Sequence, residues 1–250
     1  MLSTRSLDAV RLGVQFPQLV HLPPGVVSLA AAEENIGLAD SVGLLLDESQ
    51  RFTLRAGLGE RVDGRWAAGD VVDEEPRQNG KGDTQIARQL GGLFLFGEEL
   101  QIATAHEFKT ANESFLRLVA VIDGDPTLRR RVARVRYANG EQGVELKDGR
   151  RLKYAARSGG SGRGFAGVST VYLDEAYALT LAQLGAMLPP LSTAWNPQRW
   201  WASSAPWATS GPLWAMRRRA LKGNGGGMVA PDGHESTEGL AYIGHTAEIM

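Results

Sequence analysis

The chain of 250 residues is 43% hydrophobic and 22% charged, and 27 Lys+Arg against 28 Asp+Glu leave a net charge of −1. It has no cysteine, which excludes disulfides, zinc fingers, iron–sulfur clusters and thiol catalysis, and there is no global basic field of the kind that marks a nucleic-acid binder. No apolar run approaches the roughly 18 residues of a membrane span and the N-terminus lacks a compact signal-peptide segment, so the expectation is a soluble, intracellular chain of one large domain or a domain with a small appendage.

Residues 1–40, broken by Pro17, Pro23 and Pro24, read as an irregular N-terminal arm. From about residue 41 to 222, short β-like runs alternate with helical patterns, the signature of a sheet wrapped by helices. The first expected strand is Val71-Val72-Asp73. From Lys81, Ile86, Ala87, Leu90 and Phe94 follow the spacing of one helix face. The strand Gln101–Thr104 comes next, and then a helix through Phe108, Ala111, Phe115, Leu118 and Ile122, with Thr104 and Glu107 spaced as a capping box. Val144–Leu146 and Leu152–Ala155, joined through Lys147-Asp148-Gly149-Arg150, read as an inserted β-hairpin. The strand Thr170–Asp174, a helix over Leu179–Leu188 ended by Pro189-Pro190, and the strand Trp200–Ser203 complete this part. Residues 223–250, through Gly225-Gly226-Gly227, read as a glycine-rich linker, with Leu240–Ile243 as the truncated start of a following subdomain.

Pro76-Arg77-Gln78-Asn79-Gly80-Lys81-Gly82-Asp83 lies directly after a strand and opens a helix. A phosphate site needs inward-pointing N–H groups at a helix N-terminus and a lysine that reaches the terminal phosphates, and Gly80-Lys81 supplies both. Two positions depart from the standard P-loop: Glu75 stands at the leading glycine, and Gly82 replaces the Mg²⁺-binding Ser/Thr. A polar turn capping a helix is the competing reading. About ninety residues on, Val171-Tyr172-Leu173 ends in Asp174-Glu175. Such a carboxylate pair on a strand end can hold Mg²⁺ and polarise the attacking water. The loop Arg157–Gly164 brings two arginines to the same region, suited to charge stabilisation in phosphoryl transfer. Ser203 and Ser204, at the end of the Trp200-Trp201 strand, are small hydroxyls able to sense a γ-phosphate or simply a strand exit.

Together these segments resemble the ATPase half of the large terminase subunit of tailed bacteriophages, from about Leu46 to Tyr242. The resemblance rests on Leu46-Asp47 with Gln50, Pro76–Gly82, Thr104–Thr110, Gly162-Arg163-Gly164-Phe165, Tyr172–Ala176 and Ser203–Pro206. It implies an α/β P-loop NTPase with a mainly parallel central sheet flanked by helices, of the additional-strand, catalytic-glutamate type, over residues 41–222. It further implies that ATP with Mg²⁺ is hydrolysed to drive double-stranded DNA into a procapsid. By the same resemblance Gln50 contacts the adenine, Arg77 and Lys81 the phosphates, and Gln78, Asn79, Gly80 and Gly82 complete the nucleotide loop. Asp174 holds the metal, Glu175 is the catalytic base, and Ser203 and Ser204 form the coupling motif. Arg163 aligns with the arginine finger offered to a neighbouring subunit, with Arg157 the next candidate. Asp83 and Thr84 are the nearest substitutes for the hydroxyl missing at Gly82.

The implied partners are DNA, the portal protein and procapsid, the small terminase subunit and further copies of the chain in a ring, with no membrane. The implied location is the host cytoplasm at the portal vertex. No nuclease activity is expected of this chain, because no nuclease domain is expected to fit after residue 242 and Asp232, Glu235, Glu238 and Glu248 read as solvated residues of a loose tail. Arg129–Arg131 with Arg134 and Arg136, and Arg217–Arg219, are candidates for tracking DNA phosphates, or solvated helix faces. The rival functions are a helicase-like P-loop ATPase and a docking module that binds portal or small terminase without turnover.

Overall fold

Consecutive residues of a strand point to opposite faces of its sheet. The pairs Val71-Val72, Val171-Tyr172 and Trp200-Trp201 therefore require burial on both sides. The computed structural model describes residues 17–76, 80–157, 166–204, 209–223 and 239–245, and meets that requirement with a nine-stranded sheet between two layers of helices. In chain order the elements are β1 (Leu19–His21), α1 (Ala30–Ser41), α2 (Glu48–Gly57), β2 (Asp70–Glu74), α3 (Lys81–Phe94), β3 (Leu100–Ala105), α4 (Phe108–Gly124), α5 (Pro126–Arg131) and β4 (Val132–Arg136). There follow β5 (Gly143–Leu146), β6 (Arg151–Ala156), β7 (Thr170–Leu173), a 3-10 turn (Ala176–Ala178), α6 (Leu181–Leu191), β8 (Gln198–Ser203), α7 (Pro212–Gly223) and β9 (Leu240–Gly244).

The strand order is β1-β9-β2-β8-β7-β3-β6-β5-β4. From β9 to β6 the strands run parallel, while β1, β5 and β4 are antiparallel to their neighbours. On one face Ile36, Leu54, Leu90 and Phe115 of α1 to α4 pack on Val71, Tyr172 and Trp200. On the other, Met187 and Leu191 of α6 and Leu213 and Ala220 of α7 pack on Val72, Val171 and Trp201. Where β7 and β8 begin, Arg88 of α3 is fully buried and paired with Glu98. It also donates to Thr170 Oγ1 and Gln198 Oε1, both at 3.1 Å.

The six strands expected from the sequence are all present, and β5 and β6 pair antiparallel across Lys147–Arg150. Two segments read as lying apart from the sheet are built into it. Within the expected irregular arm, β1 pairs with β9 and α1 packs on the core. Leu240–Ile243, expected to start another subdomain, is a strand inserted between β1 and β2. The helix expected to stop at Leu188 continues through the two prolines to Leu191. In its last turn the Pro190 carbonyl accepts from Val168 N–H at 3.1 Å, so the neighbouring chain holds that turn. Among the described residues no helix is long and apolar enough to cross a membrane.

Candidate active site

In an open parallel sheet, ligands bind beyond the carboxyl ends of the strands. The ends of β2 and β7 here flank the end of β8. Beyond β2, residues 77–79 (Arg77, Gln78 and Asn79) lie outside the described residues. Gly80 then opens α3 with φ 89°, a left-handed conformation that favours glycine. A Cβ there would also meet the Gln50 amide and displace it from the loop. Lys81 is folded back on the loop, Nζ donating to the carbonyls of Glu75 (3.0 Å) and Pro76 (2.8 Å).

The first turn of α2 clasps both ends of this loop. Asp47 and Gln50 form a reciprocal capping box, Gln50 N–H donating to Asp47 Oδ1 (2.9 Å) and Asp47 N–H to Gln50 Oε1 (2.8 Å). The Gln50 amide then donates to the Gly80 carbonyl at 3.0 Å. Both ends of the side chain expected at the adenine are thus engaged within the protein. Ser49 donates to Glu75 Oε1 at 3.3 Å, and its Oγ lies 2.8 Å from His245 Nε2. Burial pushes the Glu75 carboxyl up to about 7, against the pull of Lys81 and Ser49. Asp73, buried beneath the loop, is raised well above the carboxylate range by burial and then by the Glu75 charge.

Beyond β7, Asp174 N–H donates to Thr104 O (2.9 Å) and Glu175 N–H to Asp174 Oδ1 (2.8 Å). Burial raises the Asp174 carboxyl, while the Glu175 N–H, Arg157 and Lys81 hold it down. Glu175 has φ 51° and is the single non-glycine with positive φ among the described residues. Such strain costs about 1–3 kcal/mol and persists only where the surroundings impose it. Its Oε2 accepts the N–H groups of His106 (3.0 Å) and Glu107 (3.3 Å), with Thr110 Oγ1 3.5 Å from Oε1. The carboxylate therefore sits at the positive end of α4.

This arrangement corrects the expected Thr104/Glu107 capping box. Thr104 is still within β3, its hydroxyl donates to Tyr172 O (2.9 Å), and Glu107 caps α4 without a side-chain bond. Ser203 joins the two regions. Its carbonyl accepts from Glu75 N–H (2.9 Å) and its hydroxyl from Tyr177 N–H (2.9 Å). Ser204 lies at the strand exit, and residues 205–208 and 158–165, with Arg163 among the latter, lie outside the described residues.

Of the substitutes for the hydroxyl missing at Gly82, Asp83 is ion-paired with Arg117 of α4. Thr84 Oγ1 is buried with no hydrogen-bond partner. Mg²⁺ usually takes one or two carboxylates plus phosphate oxygens and waters. Asp174 with the orphaned Thr84 hydroxyl fits that demand, and no group of three or more acidic, His or Cys side chains that could hold a metal occurs among the described residues.

The arginines expected to track DNA range from buried to exposed positions. Arg217 is buried against Glu74, and Arg219 lies 3.7 Å from Asp70. Arg129 pairs with Asp123 and Arg131 donates to Phe94 O, while Arg136 lies within 4.0 Å of Glu141 and Glu145. Arg130 and Arg134 are exposed.

No protein-family model and no curated protein matches this sequence. Among solved structures it is similar to the large terminase of bacteriophage HK97, with TM-score 0.66 and 16% identity over 82% of this chain and 40% of that one. It is also similar to the large terminase ATPase domain of Thermus phage P74-26, with TM-score 0.51 and 19% identity over 83% of this chain and 80% of that one. The chain thus spans less than half the length of the HK97 protein, and the likeness is one of fold: a large mixed sheet flanked by helices, as in terminase ATPase domains.

Proposed function

We propose that this chain is the ATPase part of a large terminase: a P-loop NTPase of the additional-strand, catalytic-glutamate type, with β5–β6 as a hairpin insertion, that drives double-stranded DNA into a procapsid. One observation carries the reading. Ser203 is hydrogen-bonded on one side to the peptide that opens the lysine loop and on the other to the turn that follows Asp174-Glu175. A phosphate-binding lysine and a water-activating carboxylate must share one site, and a strand end tied to both can relay a change at either.

In this reading Lys81 leaves the Glu75 and Pro76 carbonyls for the β- and γ-phosphates, and Arg77, Gln78, Asn79, Gly80 and Gly82 complete the cradle. Gln50 positions the loop through Gly80, and contact with adenine requires release of that bond. Glu175 exchanges the His106 and Glu107 amides for the proton of the attacking water, a role worth about 10²–10⁴ in rate. Mg²⁺ bound with the nucleotide would supply neutralisation of the phosphate charge. Asp174 and Thr84 are the groups that would hold it, and Asp83, paired with Arg117, is not. Arg163 is assigned as the finger offered to the next copy in a ring, and Ser203 with Ser204 as the coupling motif. The portal, procapsid and small terminase are the proposed partners at the portal vertex. The proposal covers ATP hydrolysis and not strand cleavage.

Steady-state ATPase assays with and without DNA test it. The wild-type chain turns over ATP and Lys81→Ala does not. Binding to portal or small terminase with no turnover in the wild type would favour the docking module instead.

A further inference from the structure

Arg157 directly follows β6, and its N–H continues the β6–β3 ladder to Ala105 O at 2.9 Å. Its side chain is 5% exposed. The guanidinium spreads across two strand ends: Nη1 donates to Thr104 O (3.2 Å) and Nη2 to Glu175 O (3.0 Å). Thr104 O also accepts the Asp174 N–H, so one carbonyl and one guanidinium tie β3, β6 and the acid-bearing turn together. Gln183 of α6 donates to the Arg157 carbonyl at 3.3 Å, which fixes the backbone from which the side chain projects. With both prongs occupied inside its own chain, the buried guanidinium is engaged in cis at this turn rather than offered outward. The residue it grips is the one held in a strained left-handed conformation.

We propose that Arg157 is the positioning residue of the acid-bearing turn: its two-pronged grip on Thr104 and Glu175 holds the Glu175 peptide in the left-handed conformation that aims the carboxylate at the His106 and Glu107 amides. A planar fork is required, because two carbonyls, one on β3 and one in the turn after β7, must be met at once. A lysine ammonium, a point charge on a flexible stem, satisfies one of them well and the other poorly. The kinetic consequence rests on the ATPase reading; the geometric consequence does not.

The test compares wild type, Arg157→Gln and Arg157→Lys by amide hydrogen exchange, by nucleotide binding and by ATP turnover. In Arg157→Gln the His106 and Glu107 amides lose protection by about tenfold or more, the scale of a lost charge-assisted hydrogen bond, while the β3 amides keep theirs. Turnover falls by a similar or larger factor with ATP affinity unchanged, and Arg157→Lys recovers part of both. If Arg157→Gln does not fold, Arg157→Lys decides by the same readouts, with intermediate losses expected. Unchanged protection at His106 and Glu107 overturns the proposal. So does activity restored by mixing Arg157→Gln with Glu175→Gln subunits, which would make Arg157 a donor to a neighbour. If the wild type hydrolyses no ATP, the terminase reading falls, and hydrogen exchange alone decides the positioning role.

Discussion

The two ends of the central strands treat buried charge in opposite ways. Where β7 and β8 begin, Arg88 meets the Glu98 carboxylate, Thr170 and Gln198, with the rings of Trp66, Phe96 and Trp200 at 5.8, 5.3 and 5.7 Å. Where β2 and β7 end, the buried Asp73 and Glu75 and the partly buried Asp174 are all raised, and the lysine among them is turned onto backbone carbonyls. The strained Glu175 is at this end too. One end pairs its charge and packs rings around it, which serves stability. The other also carries the buried Glu74–Arg217 pair, but beside it holds acids raised by burial, a redirected cation and backbone strain, which is what a site awaiting a charged ligand stores.

Breaking the first end gives the largest expected change in stability. Arg88→Ala leaves Glu98 buried without its partner, and removing one member of a buried pair costs about 3–5 kcal/mol. Urea denaturation measures it, and replacing Glu98 by Leu as well as Arg88 by Met recovers much of the loss.

The second end gives a pH signature. Because folding raises the Glu75 carboxyl from 4.5 to about 7, the folded state holds a proton that the unfolded state releases. Stability is therefore lost as pH rises through that window, by up to about 3 kcal/mol from this group. Glu75→Gln flattens the dependence, and melting temperatures of both proteins between pH 5 and 8 check it. A smaller effect sharpens the account of the loop: Asp47→Ala removes the α2 cap and costs about 1 kcal/mol in the same denaturation assay. It also loosens Gln50 from Gly80, so ATP affinity weakens in parallel.

Both halves of the site were legible in the sequence for a physical reason. The short apolar runs Val71-Val72 and Val171-Tyr172-Leu173 each stop at acidic residues, and a carboxylate at a strand end demands a partner or a ligand. The clasp around the loop was not legible. Ser49 and His245 are 196 residues apart, and only pairing of β9 between β1 and β2 brings them together. β1 and β9 are short apolar runs whose partners are remote, so nothing local separates them from loop. Spacing alone also misled at the caps. Asp47-x-x-Gln50 and Thr104-x-x-Glu107 share one pattern, but Asp47 stands where the chain turns into a helix, and Thr104 is still paired in β3. Orphan N–H groups at the start of α4 are met instead by Glu175 from the turn after β7.

The central claim is that the loop after β2 and the turn after β7 form one hydrolytic site with divided roles. Glu175→Gln tests it most directly, by measuring nucleotide affinity and single-turnover hydrolysis on the same protein. The account predicts ATP bound with wild-type affinity and cleaved about 10²–10⁴ times more slowly. Hydrolysis at the wild-type rate would contradict it, and loss of affinity as complete as the loss of turnover would assign Glu175 to binding or folding rather than to the proton of the attacking water.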